Sequence, residues 1–277
     1  MSIADKISTA IAVLKKEFMF YYKSTGSMLT EFIPLAYSKS LPIGDDILES
    51  LHRFAESNPI YLRSHDAVIS GVTCRVYEGD INNYWLSSKK HDTNYQPFYP
   101  TWVLSAYVLA LEAKSLGFDQ LVDIGSGDGR ILYCATLLNM KSYGIELDDN
   151  LMQVQDTVSS ITGIRYNSIN ADATSFNYAS LNLTKPIFFI SGLPEMGEML
   201  ANSVIGQVMA IENLRHSSGF NFMGSHVTKS LTRDRTSWGW GSVISRFGLK
   251  LVCTITLPTL WTMDQVVDTA YVYTLAP

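Results

Sequence analysis

The chain has 277 residues, a formal net charge of -5 and a sequence pI of about 5.5. An acidic chain has no overall electrostatic attraction to nucleic-acid phosphates or anionic membranes, so we expect neither as a partner. The apolar run at residues 102–113 is well short of the roughly 20 residues that a membrane span needs, and the charged residues 15–17 interrupt any signal peptide.

The 3 cysteines and 5 histidines are scattered along the chain. The cysteines show no C-x-x-C spacing, and the histidines show neither an i, i+4 pair nor a cysteine cluster nearby. We therefore predict reduced core cysteines, a cytoplasmic protein and no metal site.

The first 95 residues predict a mainly helical region. Apolar residues recur every three or four positions over residues 4–22, and further helices are expected at 28–37 and 45–56. Residues 67–78 are rich in β-branched residues and predict one or two strands. The polar segment 81–96 has no period and predicts a mobile linker or lid.

A second domain is predicted over residues 96–277. It opens with the sequence FYPTW, in which Thr101 is the expected N-cap of a helix over 102–115. The sequence LVDIGSGDGR at 121–130 follows, a short buried strand that runs into a glycine turn and then a helix. Glycines at a helix N-terminus let the backbone approach a polar or anionic ligand group.

The spacing of these glycines is G-x-G-x-G. A dinucleotide-binding turn has the spacing G-x-G-x-x-G, whose third glycine would fall at position 130, where this chain has Arg130. Acidic residues end the next two strands: Glu146 stands about 20 residues past the turn, where an acid meets ribose hydroxyls, and Asp172 follows.

Strands and helices alternate through the rest of this domain. Strands are predicted at 121–125, 142–146, 165–169, 187–191 and 220–227, with helices at 130–139, 149–160 and 195–213. Two last strands, 249–257 and 269–275, have no helix between them and must pair antiparallel. The pattern predicts an α/β fold with a mostly parallel sheet covered by helices on both faces.

The sequences VDIGSGDGR, GIELD and NADATSF, in this order, resemble the cofactor motifs of class I S-adenosylmethionine-dependent methyltransferases. The resemblance covers residues 97–277 and implies a Rossmann-like sheet that binds S-adenosyl-L-methionine and releases S-adenosyl-L-homocysteine. It implies that the glycine turn wraps the methionine part, Glu146 holds the ribose, and Asp172 with the Ala173 backbone reads the adenine. The cofactor-binding residues it implies are Thr101, Asp123, Gly125, Ser126, Gly127, Gly129, Glu146, Leu147, Asp172, Ala173 and Ser191.

The segment SGLPEM after the fourth strand is where this superfamily meets its methyl acceptor. It lacks the Asn/Asp-Pro-Pro-aromatic and Pro-Cys motifs of nucleic-acid methyltransferases, which disfavours a nucleic acid. LPEM and the earlier YPT resemble small archaeal protein-lysine methyltransferases and the related non-SET histone-lysine methyltransferases, although Pro194 replaces their asparagine. This resemblance implies transfer to a protein lysine, with Glu195 and Tyr99 as catalytic candidates.

Two alternatives stay open from the sequence. One is a small-molecule O- or N-methyltransferase, and the other is a cofactor-binding scaffold without turnover. The N-terminal region is interpreted as a lid, a recognition element or a dimerisation element, so the oligomeric state is also open, with a homodimer among the options. As a lid, it would not be needed for cofactor binding. A protein that starts near Tyr95 would then still bind S-adenosyl-L-methionine, with equal or lower affinity, but would lose methylation of its acceptor.

Overall fold

A computed structural model describes residues 2–22, 28–90, 97–190, 194–224, 240–258 and 268–277. The N-terminal region contains α1 (Ile3–Tyr21), β1 (Met28–Pro34), α2 (Asp45–Ser57), β2 (Tyr61–Ile69), β3 (Val72–Asp80) and α3 (Asn82–Lys89). β2 and β3 form a hairpin, and β1 pairs with the other edge of β3, so the three strands make an antiparallel sheet. The helices predicted at 4–22 and 45–56 are confirmed.

The predicted helix over residues 28–37 is wrong, because this segment forms β1. Every residue of β1 after Met28 is buried, and a strand buried on both faces has no alternation that distinguishes it from a buried helix. The linker over 81–96 is also partly wrong. Its first half is α3, a short helix without a buried face, while residues 91–96 lie outside the described part of the chain.

The second region contains α4 (Val103–Ser115), β4 (Gln120–Ile124), α5 (Arg130–Leu137), β5 (Lys141–Glu146), α6 (Asp149–Thr162), β6 (Asn167–Asn170), a 3-10 turn (Tyr178–Leu181) and β7 (Pro186–Ile190). It continues with α7 (Pro194–Ala210), β8 (Gly219–Gly224), α8 (Trp240–Arg246), β9 (Lys250–Leu257) and β10 (Thr269–Leu275).

These strands form one seven-stranded sheet in the order β6-β5-β4-β7-β8-β10-β9. β10 is antiparallel to both of its neighbours, and the other paired strands are parallel. The predicted Rossmann-like sheet, mostly parallel with an antiparallel last strand, is therefore confirmed. Side chains alternate between its faces: Leu121 packs in a core with α4, α5 and α6, and Val122 in a core with α7 and α8.

The N-terminal region shares the first of these cores. Phe18 of α1 and Phe32 of β1 make edge contacts with Trp102, at ring-centroid distances of 5.7 and 5.3 Å. Phe54 of α2 packs on Tyr133 of α5 at 5.0 Å. The region therefore lies mainly against α4 and α5, which pack on one face of the sheet. Within the described residues, no helix has both the length and the apolar character needed to cross a bilayer.

Candidate cofactor and acceptor site

The glycine turn lies between the carboxyl end of β4 and the start of α5. Gly127 has a φ of +55°, a backbone conformation that side chains strongly disfavour. A Cβ atom at Gly127 would also stand 2.7 Å from Cε2 of Phe98. Gly125 has a φ of +71° and open space where its Cβ would be, so its backbone is accessible from the pocket.

A pocket of about 150 Å³ opens at this turn, over the carboxyl ends of β4, β5 and β6. This is the edge at which open α/β sheets bind ligands. The predicted site residues that line it are Tyr99, Thr101, Asp123, Gly125, Ser126, Gly127, Glu146, Leu147, Asp172 and Ala173. Gly129 does not line it and is instead the N-cap of α5, with a φ of +80°.

Two other predicted residues cannot be placed in the pocket. Ser191 lies outside the described residues, and Glu195 is in the first turn of α7 without a described side chain. The catalytic role suggested for Glu195 therefore stays a prediction.

Glu146 is held at the end of β5 by backbone donors. Its Oε2 accepts a hydrogen bond from Gly127 N at 2.8 Å, and its Oε1 accepts from Leu147 N and Asp148 N at 2.8 and 2.9 Å. Burial raises the pKa of the carboxyl, although these three N–H groups act in the opposite direction. The bonds fix the carboxylate against the glycine turn, and Oε2, which accepts one of the three bonds, retains a lone pair for a ligand hydroxyl.

Asp123, at the end of β4, lines the pocket with a buried carboxyl group that lacks one hydrogen-bond partner. Its side chain is 2% exposed, and its Oδ1 has no hydrogen-bond partner among the described residues. Burial raises its pKa well above the ordinary range, and the nearby Glu146 and Asp128 carboxylates raise it further. A buried carboxyl oxygen without a donor is costly unless a ligand supplies one.

The far end of the pocket is formed by the loop after β6. Asp172 accepts hydrogen bonds from the backbone N–H and the hydroxyl of Thr174, at 2.8 and 2.7 Å. Tyr178 donates to the carbonyl of Ala173 at 2.8 Å. These bonds hold the loop beside the pocket.

Residues 97–101 form the opposite wall. The hydroxyl of Thr101 accepts a hydrogen bond from Tyr271 of β10 at 3.0 Å, and Tyr99 is 40% exposed at the rim. Thr101 is not the N-cap of α4, contrary to the prediction. Trp102 occupies that position without a side-chain bond, and Glu31 of β1 accepts from Val103 N at 2.5 Å instead.

Sequence reasoning missed several lining residues. Four of them come from parts of the chain distant from the glycine motif: Ser88, Leu200, Met223 and Tyr271. Asp128 and Arg130 stand inside the glycine motif, but no local signal marked their side chains as part of the pocket. Among the described lining residues, acids outnumber bases. Arg130 is the one basic side chain, and it pairs with Asp128 and Glu31.

No group of histidine, cysteine, aspartate and glutamate side chains in the described ranges is arranged to hold a metal ion.

Comparison with known proteins gives matches in structure only. No known family model matches the sequence, and no curated protein matches it. Fibrillarin from Aeropyrum pernix, solved with S-adenosyl-L-methionine, is 16% identical over 80% of this chain and 86% of its own, with a TM-score of 0.45. A putative O-methyltransferase from Klebsiella pneumoniae is 12% identical over 71% and 89%, with a TM-score of 0.41.

A third similar structure is the tRNA (uracil-54, C5)-methyltransferase of Pyrococcus abyssi, solved with S-adenosyl-L-homocysteine. It is 10% identical over 65% of this chain and 39% of its own, with a TM-score of 0.46. At these identities and TM-scores, the similarities do not define a methyl acceptor for this chain.

Proposed function

We propose that this protein is an S-adenosyl-L-methionine-dependent methyltransferase. The observation that carries the proposal is the buried Asp123 carboxyl, whose Oδ1 lacks a partner among the described residues beside the glycine turn. The ammonium group of the cofactor's methionine part is a donor and a cation, and it would satisfy this oxygen.

The charge of the pocket supports the same cofactor over a dinucleotide. Asp123, Asp128, Glu146, Asp148 and Asp172 all line it, and such a set repels a pyrophosphate while favouring a ligand that carries a sulfonium and an ammonium. Arg130, which stands where a dinucleotide turn has its third glycine, is paired with two carboxylates and adds little free positive charge.

In this proposal, the glycine turn surrounds the methionine part and Glu146 accepts from the ribose hydroxyls. Asp172 and the backbone of Ala173 lie at the adenine. The cofactor supplies an activated methyl group on a sulfonium, so the protein's task is to bind it, exclude water and align the acceptor. Thr101 and Tyr271, joined by their hydroxyls, brace the wall that faces the acceptor.

The proposed acceptor is the amine of a protein lysine side chain. An acidic pocket attracts a cationic amine and disfavours acceptors that carry phosphate. The half-exposed Tyr99 at the rim leaves the site accessible to a side chain that enters from solvent. Glu195, at the start of α7, is the proposed proton acceptor for the amine.

The test has two stages. Calorimetry first compares S-adenosyl-L-methionine, S-adenosyl-L-homocysteine and NAD, and we expect the first two to bind and NAD not to bind. The protein is then incubated with methyl-labelled cofactor and cell extract, and the label is sorted into protein, nucleic-acid and small-molecule fractions. Label in the protein fraction, on lysine, is the expected result.

Other outcomes identify other functions. Label in the small-molecule fraction would replace lysine with a metabolite acceptor, and binding without turnover in any fraction would indicate a scaffold. Equal affinity for NAD would contradict the assignment of the cofactor. Asp123→Asn should weaken binding of the cofactor, and its matched control is Asp156→Asn, because Asp156 lies on α6 and does not line the pocket.

A further inference from the structure

We propose that Glu31, on strand β1 of the N-terminal region, is a positioning residue for the cofactor pocket. It acts through Arg130 to hold the glycine turn and the opposite wall at a fixed separation. This inference rests on the proposed function, since the pocket it concerns is the proposed cofactor site.

Glu31 is buried completely, with 0% exposure, and each of its oxygens has partners. Oε2 accepts from the backbone N–H of Val103 at 2.5 Å, at the start of α4. Oε1 accepts from the hydroxyl of Tyr61 and lies 3.3 Å from Nη1 of Arg130. One carboxylate from the N-terminal region therefore contacts both α4 and the residue that begins α5.

Arg130 extends this contact to both walls of the pocket. Its Nε and Nη2 donate to the two oxygens of Asp128, at 2.9 and 2.5 Å. Its Nη1 donates to the carbonyl of Thr101. Asp128 belongs to the glycine turn and Thr101 to the opposite wall, so a single guanidinium bridges the two sides.

The N-terminal region holds the far side of Asp128 as well. Asn58, directly after α2, donates from Nδ2 to Oδ2 of Asp128 at 2.8 Å. Asp128 and Arg130 are 1% and 3% exposed, so water cannot replace a lost partner without rearrangement of the turn. Their geometry depends on groups that the second region does not itself supply.

Charge balance explains why a carboxylate is needed at position 31. The guanidinium faces two carboxylates, one on the turn and one on β1. Without the charge of Glu31, Arg130 would be drawn toward Asp128 alone and its bond to the Thr101 carbonyl would weaken. The two walls would then be less well fixed, and the cofactor would bind a pocket that is less organised in advance.

The test is Glu31→Gln, which keeps the size of the side chain and an oxygen for Val103 N but removes the charge. We expect the Kd for S-adenosyl-L-homocysteine to rise by at least about tenfold, which corresponds to about 1.4 kcal/mol. The KM for S-adenosyl-L-methionine should rise in parallel, while kcat at saturating cofactor stays within about twofold.

The control is Lys15→Met. Lys15 is 2% exposed and pairs at 2.5 Å with Asp268, which is 11% exposed. This is a second ion pair between the N-terminal region and the second region, but neither residue lines the pocket. Both variants should unfold at a lower temperature than the wild type. Only Glu31→Gln should lose affinity when each is measured well below its own unfolding temperature.

Equal affinity in Glu31→Gln and the wild type would overturn the inference, and so would an equal loss in Lys15→Met. If Glu31→Gln does not fold, Tyr61→Phe removes the hydroxyl that donates to Glu31 and accepts from Nη2 of Arg130 at 3.4 Å. We expect a rise in Kd of about threefold in the same direction. An unchanged Kd in that variant would also overturn the inference. Failure of the wild type to bind would instead refute the proposed cofactor.

Discussion

At the residue scale, Gly127 combines two constraints: a left-handed backbone and contact with Phe98 on the opposite wall. Gly127→Ala should therefore weaken cofactor binding strongly, because the added Cβ displaces Phe98 across the pocket. Gly163, the C-cap of α6, is the control. Its φ is +73° but a Cβ there would meet nothing within 4 Å.

Both alanine variants should lose stability, by about 1 kcal/mol from the backbone strain that they share. Calorimetry and thermal unfolding separate the two effects. Loss of affinity in Gly163→Ala to the same extent would mean that strain alone, and not the contact with Phe98, explains the result.

Asp123 predicts a dependence of stability on pH. Because its pKa is raised in the folded protein, its contribution to stability is complete below the ordinary value of about 3.9 and is lost as the pH rises through the raised value. Asp123→Asn has no such titration. The unfolding temperature of the variant should therefore rise relative to that of the wild type as pH increases. A constant difference between the two temperatures from pH 4 to 8 would contradict this.

The same carboxyl should link cofactor binding to proton release. The cofactor's ammonium requires the ionised form of Asp123, so the affinity of the wild type should increase with pH over the window in which Asp123 titrates. Calorimetry in two buffers of different ionisation enthalpy measures the protons released. Asp123→Asn should bind about tenfold more weakly, a change of about 1.4 kcal/mol, and should release none.

Glu146 should contribute equally to the binding of S-adenosyl-L-methionine and S-adenosyl-L-homocysteine, because both contain the ribose. Glu146→Ala should cost each about 1.5–3 kcal/mol, the range for hydrogen bonds to a charged group. Asp149→Ala, at the exposed start of α6, is the control and should leave both affinities unchanged. A loss confined to one ligand would argue against contact with the ribose.

At the element scale, the start of α4 depends on a carboxylate from another strand. Thr101 precedes this helix, but its hydroxyl accepts from Tyr271, and Glu31 takes the first helical N–H group. A side chain that precedes a helix is only one of several ways to satisfy its N-terminal donors.

Thr101→Val tests this division of roles. The variant has nearly the same shape and loses the hydroxyl, which leaves Tyr271 without its partner at a cost of about 1–3 kcal/mol. Hydrogen exchange at the first turn of α4 should be unchanged relative to the rest of the helix. Selective loss of protection at Val103 and Leu104 would show that Thr101 caps the helix after all.

At the scale of the whole molecule, the N-terminal region and the second region share one core. Trp102 is 0% exposed beneath Phe18 and Phe32, and Arg130 depends on Glu31. These contacts predict that the N-terminal region is needed for folding. The sequence had suggested a lid that is dispensable for cofactor binding. A protein that begins at Tyr95 would expose this core and leave Arg130 and Asp128 without two of their partners.

We therefore expect the protein that begins at Tyr95 to lose cooperative unfolding, and cofactor binding with it. Circular dichroism on heating and calorimetry measure the two. A truncated protein that unfolds cooperatively and binds S-adenosyl-L-methionine as tightly as the full chain would contradict the shared core, and would restore the interpretation of the N-terminal region as a separable lid.

The sequence alone was sufficient for the sheet and the turn at its centre. Strands such as Gln120–Ile124 and Pro186–Ile190 are short apolar runs bounded by breakers, and the glycines that end β4 are recognisable locally. Parallel strands place their carboxyl ends on one edge, so the proximity of Asp123, Glu146 and Asp172 followed from the order of the motifs.

Only the tertiary structure decided the form of the N-terminal region and what supports the pocket. Residues 28–34 form a strand because β3 pairs with them, and burial on both faces removes the periodicity that would have identified it. Glu31 meets Arg130 across 99 residues of chain, and Tyr271 meets Thr101 across 170. Hydrogen-bond partners this far apart in the chain are brought together by the packing of whole helices and strands, and no local pattern of residues specifies them.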